Sequence, residues 1–301
     1  MSNNISILLA TYNGSCYLKE QLDSLYSQTY TNFNILVRDD ISADNTLKIL
    51  SSCDLKIIPS NKNVGIQRNF SILLEYALQN SDNKYFMFCD QDDIWKKDKI
   101  EKTLAKMIFL EKQYGDIPLL VHSDLIVVDN VLQNNRFFWE SEKINPNINS
   151  FNRLLMQNTV TGCTVMINRK LAKLALPIPN ESIAHDAWFG LVASYFGKIG
   201  ILNEQTILYR QHNLNSIGAQ GFTALYFFNK LLKQNIIQKN AIQAKAFLKI
   251  YRDILDEKTI EMLEEFTTLE SQSFWQKRKI LLKHKLLKQG FLRNLGLLWK
   301  I

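Results

Sequence analysis

Three carboxylates fall within four residues at the end of an apolar run, in Tyr85-Phe86-Met87-Phe88-Cys89-Asp90-Gln91-Asp92-Asp93-Ile94-Trp95. Oxygen donors this closely spaced suit Mg2+ or Mn2+ carrying phosphates, because those ions take a couple of carboxylates and leave their other positions to water and substrate. Side chains at i and i+2 share a face of extended backbone, which predicts that Asp90 and Asp92 converge while Asp93 points elsewhere. The same run also reads as a polar turn leading into a helix that begins near Asp98. Polar residues end two other apolar stretches: Thr11-Tyr12-Asn13 follows Ile5 to Ala10, and Asp39-Asp40 follows Asn34 to Arg38. Asp186 lies in the first turn of a helix opened by Ala184-His185-Asp186, where a carboxylate is a favourable partner of the helix dipole.

These residues need elements to hold them. Ile5 to Ala10 reads as a strand and a helix follows from about Tyr17. Asn34 to Arg38 and Leu55 to Ile58 are further strands, Gln67 to Leu78 is helical, Tyr85 to Cys89 is the central strand, and Asp98 to about Tyr114 is helical. This β-α alternation predicts an α/β fold with a doubly wound, mainly parallel sheet, whose ligand site lies outside the carboxyl ends of its strands. Further on, Leu119 to Asp124 and Leu125 to Asp129 read as two strands, Phe151 to Gln157 as a short helix and Thr161 to Asn168 as a strand. Ala184 to Phe196 reads as a helix, and Lys198 to Leu202 and Thr206 to Tyr209 as two short strands. From Gly221 the pattern is helical throughout. A boundary near Gly218 to Gly221 divides the chain into 1–218 and a helical C-terminal region, 219–301. There is no P-loop and no GxGxxG.

With 301 residues, 46% hydrophobic and 22% charged, the chain can bury a full core. Its four cysteines are scattered and none forms a CxxC pair, which favours a reducing compartment. No apolar segment is long enough to span a bilayer and no leader pattern is read, so the expected location is the cytoplasm, with the inner face of the cell membrane as a peripheral site. The net charge of +7 belongs to the tail: from Ser271 to Ile301 there are eight Lys/Arg and no Asp or Glu, while the charges before it nearly balance. That argues against nucleic acid as a partner, which would place the charge on the folded body. Ile280, Leu287, Phe291, Leu295 and Leu298 recur at helical spacing among the lysines, with Trp299 near the end. Such a helix either lies on an anionic membrane or packs into a bundle or a homodimer.

Taken in order, Leu9-Ala10-Thr11-Tyr12-Asn13-Gly14, Val37-Arg38-Asp39-Asp40 with Ser42 and Asp44, Asn63-Val64-Gly65 with Arg68-Asn69, Asp90-Gln91-Asp92-Asp93-Ile94-Trp95, His185-Asp186 and Tyr209-Arg210-Gln211-His212 resemble a family 2 glycosyltransferase of the GT-A fold. The likeness is to the rhamnosyltransferase-like branch of bacterial surface polysaccharide synthesis, and it spans roughly residues 5 to 218. It implies a Rossmann-like GT-A sheet with a C-terminal helical extension, and an inverting, metal-dependent transfer from a nucleotide sugar to a saccharide or lipid-linked acceptor. By the same resemblance Ala10 and Tyr12 line the nucleotide pocket, Asp40 accepts the N3–H of a pyrimidine, and Arg68 lies near the nucleotide. Asp90 and Asp92 form the DXD motif around Gln91, Asp92 and His212 hold Mn2+ or Mg2+, and Asp186 is the base. His185 stands where the family usually has Glu, and Ile41 where Gly is common.

The donor implied is dTDP-L-rhamnose, with UDP-hexoses as competitors. A 6-deoxy sugar wants apolar surface, for which Trp95 and Trp188 are candidates; with His185 they are also candidates for acceptor or sugar contact. Either Trp is equally a core residue. A nucleotidylyltransferase would want a Gly-rich basic loop after the first strand, which Thr11-Tyr12-Asn13-Gly14-Ser15-Cys16 is not. A non-catalytic membrane or polysaccharide-binding module is the remaining alternative.

Overall fold

Alternation along two neighbouring strands sets up the architecture. β1 (Ile5–Thr11) and β4 (Tyr85–Cys89) pair in parallel, with Ile5 beside Tyr85 and Leu9 beside Cys89. Ile5, Ile7, Leu9, Tyr85, Met87 and Cys89 enter one apolar cluster, and Leu8, Ala10, Phe86 and Phe88 enter the other. A strand covered on both faces is largely apolar, as these two are apart from Ser6 and Thr11, and each cluster is completed by helices. On the first face lie α1 (Leu18–Tyr26), α2 (Thr46–Ser51) and α4 (Lys99–Tyr114); on the second lies α3 (Ile66–Asn80).

The computed structural model describes residues 4–212 and 237–301. The sheet continues with β2 (Phe33–Asp39), β3 (Lys56–Ile57), β5 (Ile94–Trp95), β6 (Leu119–Val128), β7 (Arg136–Phe137), β8 (Met166–Asn168) and β9 (Lys198–Arg210), in the order β3-β2-β1-β4-β8-β6-β9-β5 with β7 on the side of β6. The β1–β4 half is parallel and β6 runs parallel to β9, while β8 and β5 join antiparallel, giving a mixed, mostly parallel sheet of the expected GT-A kind. α5 (Phe138–Ser141), α6 (Phe151–Met156), α7 (Arg169–Ala175) and α8 (His185–Phe196) complete this part of the chain.

The structure corrects three element readings. Leu119 to Asp129 holds one strand rather than two, and so does Lys198 to Arg210. β6 and β9 pair along their length, with register shifts around Asp124, so the polar interruptions at Asp124 and Asn203-Glu204-Gln205 are absorbed by bulges rather than by turns. Thr161 to Asn168 is a strand only from Met166, because Gly162–Thr164 forms a 3-10 turn. The helix α7 was not read; its signal is Asn168, whose side chain accepts the Leu171 N–H at 3.0 Å as an N-cap.

The boundary expected near Gly218 to Gly221 lies outside the described residues. Beyond it come α9 (Gln238–Tyr251), α10 (Glu257–Thr267), α11 (Phe274–Lys283) and α12 (Phe291–Lys300). They continue the second apolar cluster: Phe247 of α9 packs on Phe151 and Trp188, and the Tyr251 hydroxyl donates to the Leu174 carbonyl. Among the described residues no helix is long and apolar enough to cross a membrane.

Candidate active site

The carboxyl ends of β1, β2 and β4 open into a cleft of about 480 Å3, bounded on its far side by Gly162 and the start of α8. The loop after β1 is held from two directions. Tyr12 and Gln91 exchange hydrogen bonds, N–H to Oε1 at 2.8 Å and Nε2 to carbonyl at 2.9 Å. Gly14 leaves the room: a Cβ there would lie 2.1 Å from Gln91 Oε1. Asn13 takes a left-handed backbone, receives Ala43 N–H on its Oδ1, and donates its own N–H to Ser42 Oγ.

The paired acids after β2 do different work. Asp39 accepts from Thr11 Oγ1 and from the N–H and hydroxyl of Ser42, closing a turn in which Ile41 has a φ of +67°. Asp40 lines the cleft, but its two oxygens already accept from Arg38 and from the N–H groups of Val64 and Gly65, at 2.8 to 3.0 Å. It therefore ties the 63–65 loop to the sheet, and a pyrimidine N3–H would join an already occupied carboxylate.

At the end of β4 the chain bends. Asp90 and Asp92 line the cleft and Asp93 does not, but Asp93 stays close behind: Asp90, Asp93 and Cys163 bring one ligand atom each within 4.8 Å of one another. Burial and then the charges of Asp92 and Asp186 raise the Asp90 carboxyl to about 7, and burial with the charges of Asp92 and Asp90 pushes Asp93 well up. Asp92 faces the cleft and accepts from, or donates to, His212 Nε2 at 2.9 Å, with His212 in turn stacked on Tyr17.

A divalent ion fits this group. The crowding that raises Asp90 and Asp93 is the kind a cation relieves. Asp92 and His212, a carboxylate oxygen and an imidazole nitrogen 2.9 Å apart, are donors that such an ion would accept. Cys163 is a poorer member, because burial and the nearby Asp93 charge push its thiol well above the ordinary range and keep it neutral.

Asp186 stands in the first turn of α8 with Oδ2 receiving Gly162 N–H at 3.1 Å and Oδ1 receiving Ala187 N–H at 2.7 Å. Burial lifts its carboxyl to about 6, and the Ala187, Gly162 and Asn158 donors hold it from rising further. His185 lies beside it against Phe70 and Phe88, at 4.4 and 5.3 Å between ring centroids, and burial lowers it to about 3, so it is neutral. Its Nε2 has no partner among the described residues and sits 2.5 Å from where a Cβ on Gly162 would be, a close approach only glycine permits.

The structure thus brings Ala10, Tyr12, Asp40, Asp90, Gln91, Asp92, His185 and Asp186 to one cleft, with His212 bonded to Asp92. Three expected residues are elsewhere. Arg68 does not line the cleft; its guanidinium bonds Ser71 and Glu75 on α3. Trp95 is 2% exposed under the Lys99 ammonium, and Trp188 is fully buried with its Nε1 donating to the Ala175 carbonyl, so neither ring reaches a sugar. Both correct the expectation of sugar contact. The residue that sequence reading left without a role is Arg210. Buried at the end of β9, it donates to the Asp92 and Asn130 carbonyls and to Glu20, while its N–H reaches Asp93. Its signal was an arginine closing an apolar strand.

Residues 6–174 match the sequence profile of glycosyl transferase family 2. The chain belongs to this family. Among curated relatives it is similar to the dTDP-rhamnosyl transferase RfbG of Shigella flexneri, at 31% identity over 240 residues, 72% of this chain and 76% of that one. It is also similar to the UDP-Glc:alpha-D-GlcNAc-diphosphoundecaprenol beta-1,3-glucosyltransferase WfgD of Escherichia coli, at 27% over 173 residues, 56% of this chain and 61% of that one. Among solved structures, S. aureus TarS 1-349 in complex with UDP-GlcNAc shares the fold, with a TM-score of 0.60 at 18% identity over 94% of this chain and 80% of that one. The mannosyltransferase PcManGT of Pyrobaculum calidifontis, in complex with GDP-Man and Mn2+, does so at 0.51 and 14% identity, over 99% and 79%. For a family 2 glycosyltransferase, a cleft at the carboxyl edge of the sheet is where the fold predicts its ligand.

Proposed function

We propose that the protein is an inverting, divalent-metal-dependent glycosyltransferase that moves L-rhamnose from dTDP-L-rhamnose to a saccharide or lipid-linked acceptor in cell-surface polysaccharide synthesis. The observation that carries this reading is that a proton acceptor, Asp186, lines the same cleft as the acidic pair Asp90 and Asp92. Tyr12 and Ala10 border the nucleotide, Asp40 reads the pyrimidine edge, and Asp90 with Gln91 meets the ribose and the diphosphate side. Asp92 and His212 hold Mn2+ or Mg2+, which supplies positive charge to the departing diphosphate.

In the reaction the acceptor oxygen bonds to the anomeric carbon from the face opposite the diphosphate. The bond from that carbon to the diphosphate oxygen breaks, and nucleoside diphosphate leaves with the electron pair. The acceptor's proton passes to the Asp186 carboxylate, whose pKa near 6 leaves it ionised at neutral pH yet basic enough to share a proton. The N–H groups of Gly162 and Ala187 fix the direction in which that carboxylate points.

The similarity to RfbG supports a rhamnosyl donor. So does the His185 ring on Phe70 and Phe88, which is neutral where a glutamate would present charge. A UDP-hexose donor is the second reading, favoured by the similarity to WfgD. A panel of sugar nucleotides with Mn2+ or Mg2+, with and without chelator, separates them by release of nucleoside diphosphate. Chelator-sensitive release from dTDP-rhamnose supports the first, and release from a UDP-sugar alone replaces it with the second. Absence of both release and calorimetric binding of dTDP or UDP sinks the enzyme reading.

A further inference from the structure

We infer that the outward faces of α11 and α12 form one docking surface for an anionic lipid bilayer. On α12 the exposed apolar residues are Phe291, Leu292, Leu295 and Trp299, which at i, i+1, i+4 and i+8 fall in a single sector of about 100°. The helix's one buried residue, Leu297, lies on the opposite side. A helix that served only its own core would show the reverse pattern, with its apolar stripe inward. Trp275 and Trp299 are 78% and 77% exposed, among the largest apolar surfaces the described residues leave uncovered.

The two helices meet at this face. Trp275 and Leu282 of α11 line a groove with Leu298 of α12, rimmed by Arg278, Lys279 and Lys283. Aromatic rings interleaved with cations are the composition that seats a helix at a headgroup boundary, rings below and ammonium groups among the phosphates. Charge decides between a bilayer and a second copy of the chain. Residues 271–301 hold eight Lys/Arg and no acid; Glu261 and Glu265 of α10 offset Lys283, and the remaining cations of two such faces brought together would repel, whereas anionic lipid neutralises them.

The surface is also rigidly tied to the cleft. Arg293 of α12 donates to the carbonyls of Glu142 and Lys143, Gln289 exchanges hydrogen bonds with Asn145, and Arg153 holds the Lys288 carbonyl. That receiving segment directly follows α5, whose Phe138 lines the cleft. Docking therefore fixes how the cleft faces the bilayer. The use of that orientation for a lipid-linked acceptor rests on the transferase reading; the surface itself does not.

Vesicle flotation of the full chain tests this, with phosphatidylcholine alone against phosphatidylcholine mixed with phosphatidylglycerol. Binding to the mixed vesicles should be at least about tenfold tighter and should weaken with salt. Phe291→Ser with Trp299→Ser, and separately Lys277→Glu with Lys279→Glu, should each lower it about tenfold or more while calorimetric binding of nucleoside diphosphate stays unchanged. Wild type that binds neither vesicle, variants that bind like wild type, or a wild-type dimer in light scattering that Phe291→Ser with Trp299→Ser splits would overturn it. Vesicle binding without nucleotide binding would leave this surface standing and remove the transferase reading instead.

Discussion

Tyr12 and Gln91, 79 residues apart, are joined by a reciprocal pair of hydrogen bonds that locks the loop after β1 to the acidic loop after β4. The pair spans the place proposed for the donor nucleotide, and it exists because Gly14 offers no Cβ. Gly14→Ala should push the flexible Gln91 amide aside rather than distort the backbone, at a stability cost of only about 1 kcal/mol. Nucleotide affinity should fall roughly tenfold, and Gln91→Ala should match it. Calorimetry with dTDP and UDP measures this; unchanged affinity in both variants would show that the clasp does not shape the site.

Ile41 occupies a left-handed backbone with φ of +67°, a conformation that costs a β-branched residue about 1–2 kcal/mol and costs glycine almost nothing. Its side chain is exposed, so little packing is lost on removal. Ile41→Gly should therefore stabilise the fold by about 0.5–1 kcal/mol even after the extra freedom glycine gives the unfolded chain. A higher urea midpoint with unchanged slope is the expected result; a lower midpoint would mean that the Ile41 side chain packs more than its exposure indicates.

Asp186 links activity and stability with opposite signs. Its carboxyl titrates near 6 in the fold and near 4 when unfolded, so its contribution to stability is fully present below about pH 4 and is lost as pH rises through 6. Asp186→Asn, neutral at every pH, should be more stable than wild type by roughly 1–2 kcal/mol above pH 6, with the advantage fading towards pH 4. Catalysis runs the other way: kcat/KM should drop about tenfold per pH unit below 6, and Asp186→Asn should lose ~10²–10⁴-fold. A flat rate profile between pH 5 and 8 would remove Asp186 as the base.

Trp188 shows where sequence reading stops. Apolar runs alternating with helical segments, and the polar strand ends, made the sheet, the cleft edge and most cleft residues legible, since those follow from local pattern. Whether a ring two residues after Asp186 faces a sugar or the core depends on the turn of α8 against α9, which no local pattern states. Arg68 and Trp95 fell outside for the same reason. Trp188→Ala should thus cost about 3–5 kcal/mol through the void left between α7, α8 and α9, with affinity for nucleoside diphosphate unchanged wherever the protein stays folded. A sugar-specific rise in KM without loss of stability would return Trp188 to the site.

Arg210 was legible as a residue but not as a part. One buried guanidinium bonds the Asp92 carbonyl, the Asn130 carbonyl and Glu20, and lies 4.5 Å over the Tyr17 ring that also stacks on His212. It thereby braces the Asp92 backbone and, through Tyr17, the His212 ring, the two residues proposed to hold the metal. Lysine keeps the charge but lacks the planar fork, so it can serve only some of these acceptors. Arg210→Lys should raise the Mn2+ concentration needed for half-maximal activity by about 10–100-fold while kcat at saturating Mn2+ falls much less. Asp92→Asn should lose activity that added Mn2+ does not restore. If Arg210→Lys instead lowers kcat with no change in the Mn2+ requirement, Arg210 acts on the reacting groups and not on the ion's ligands.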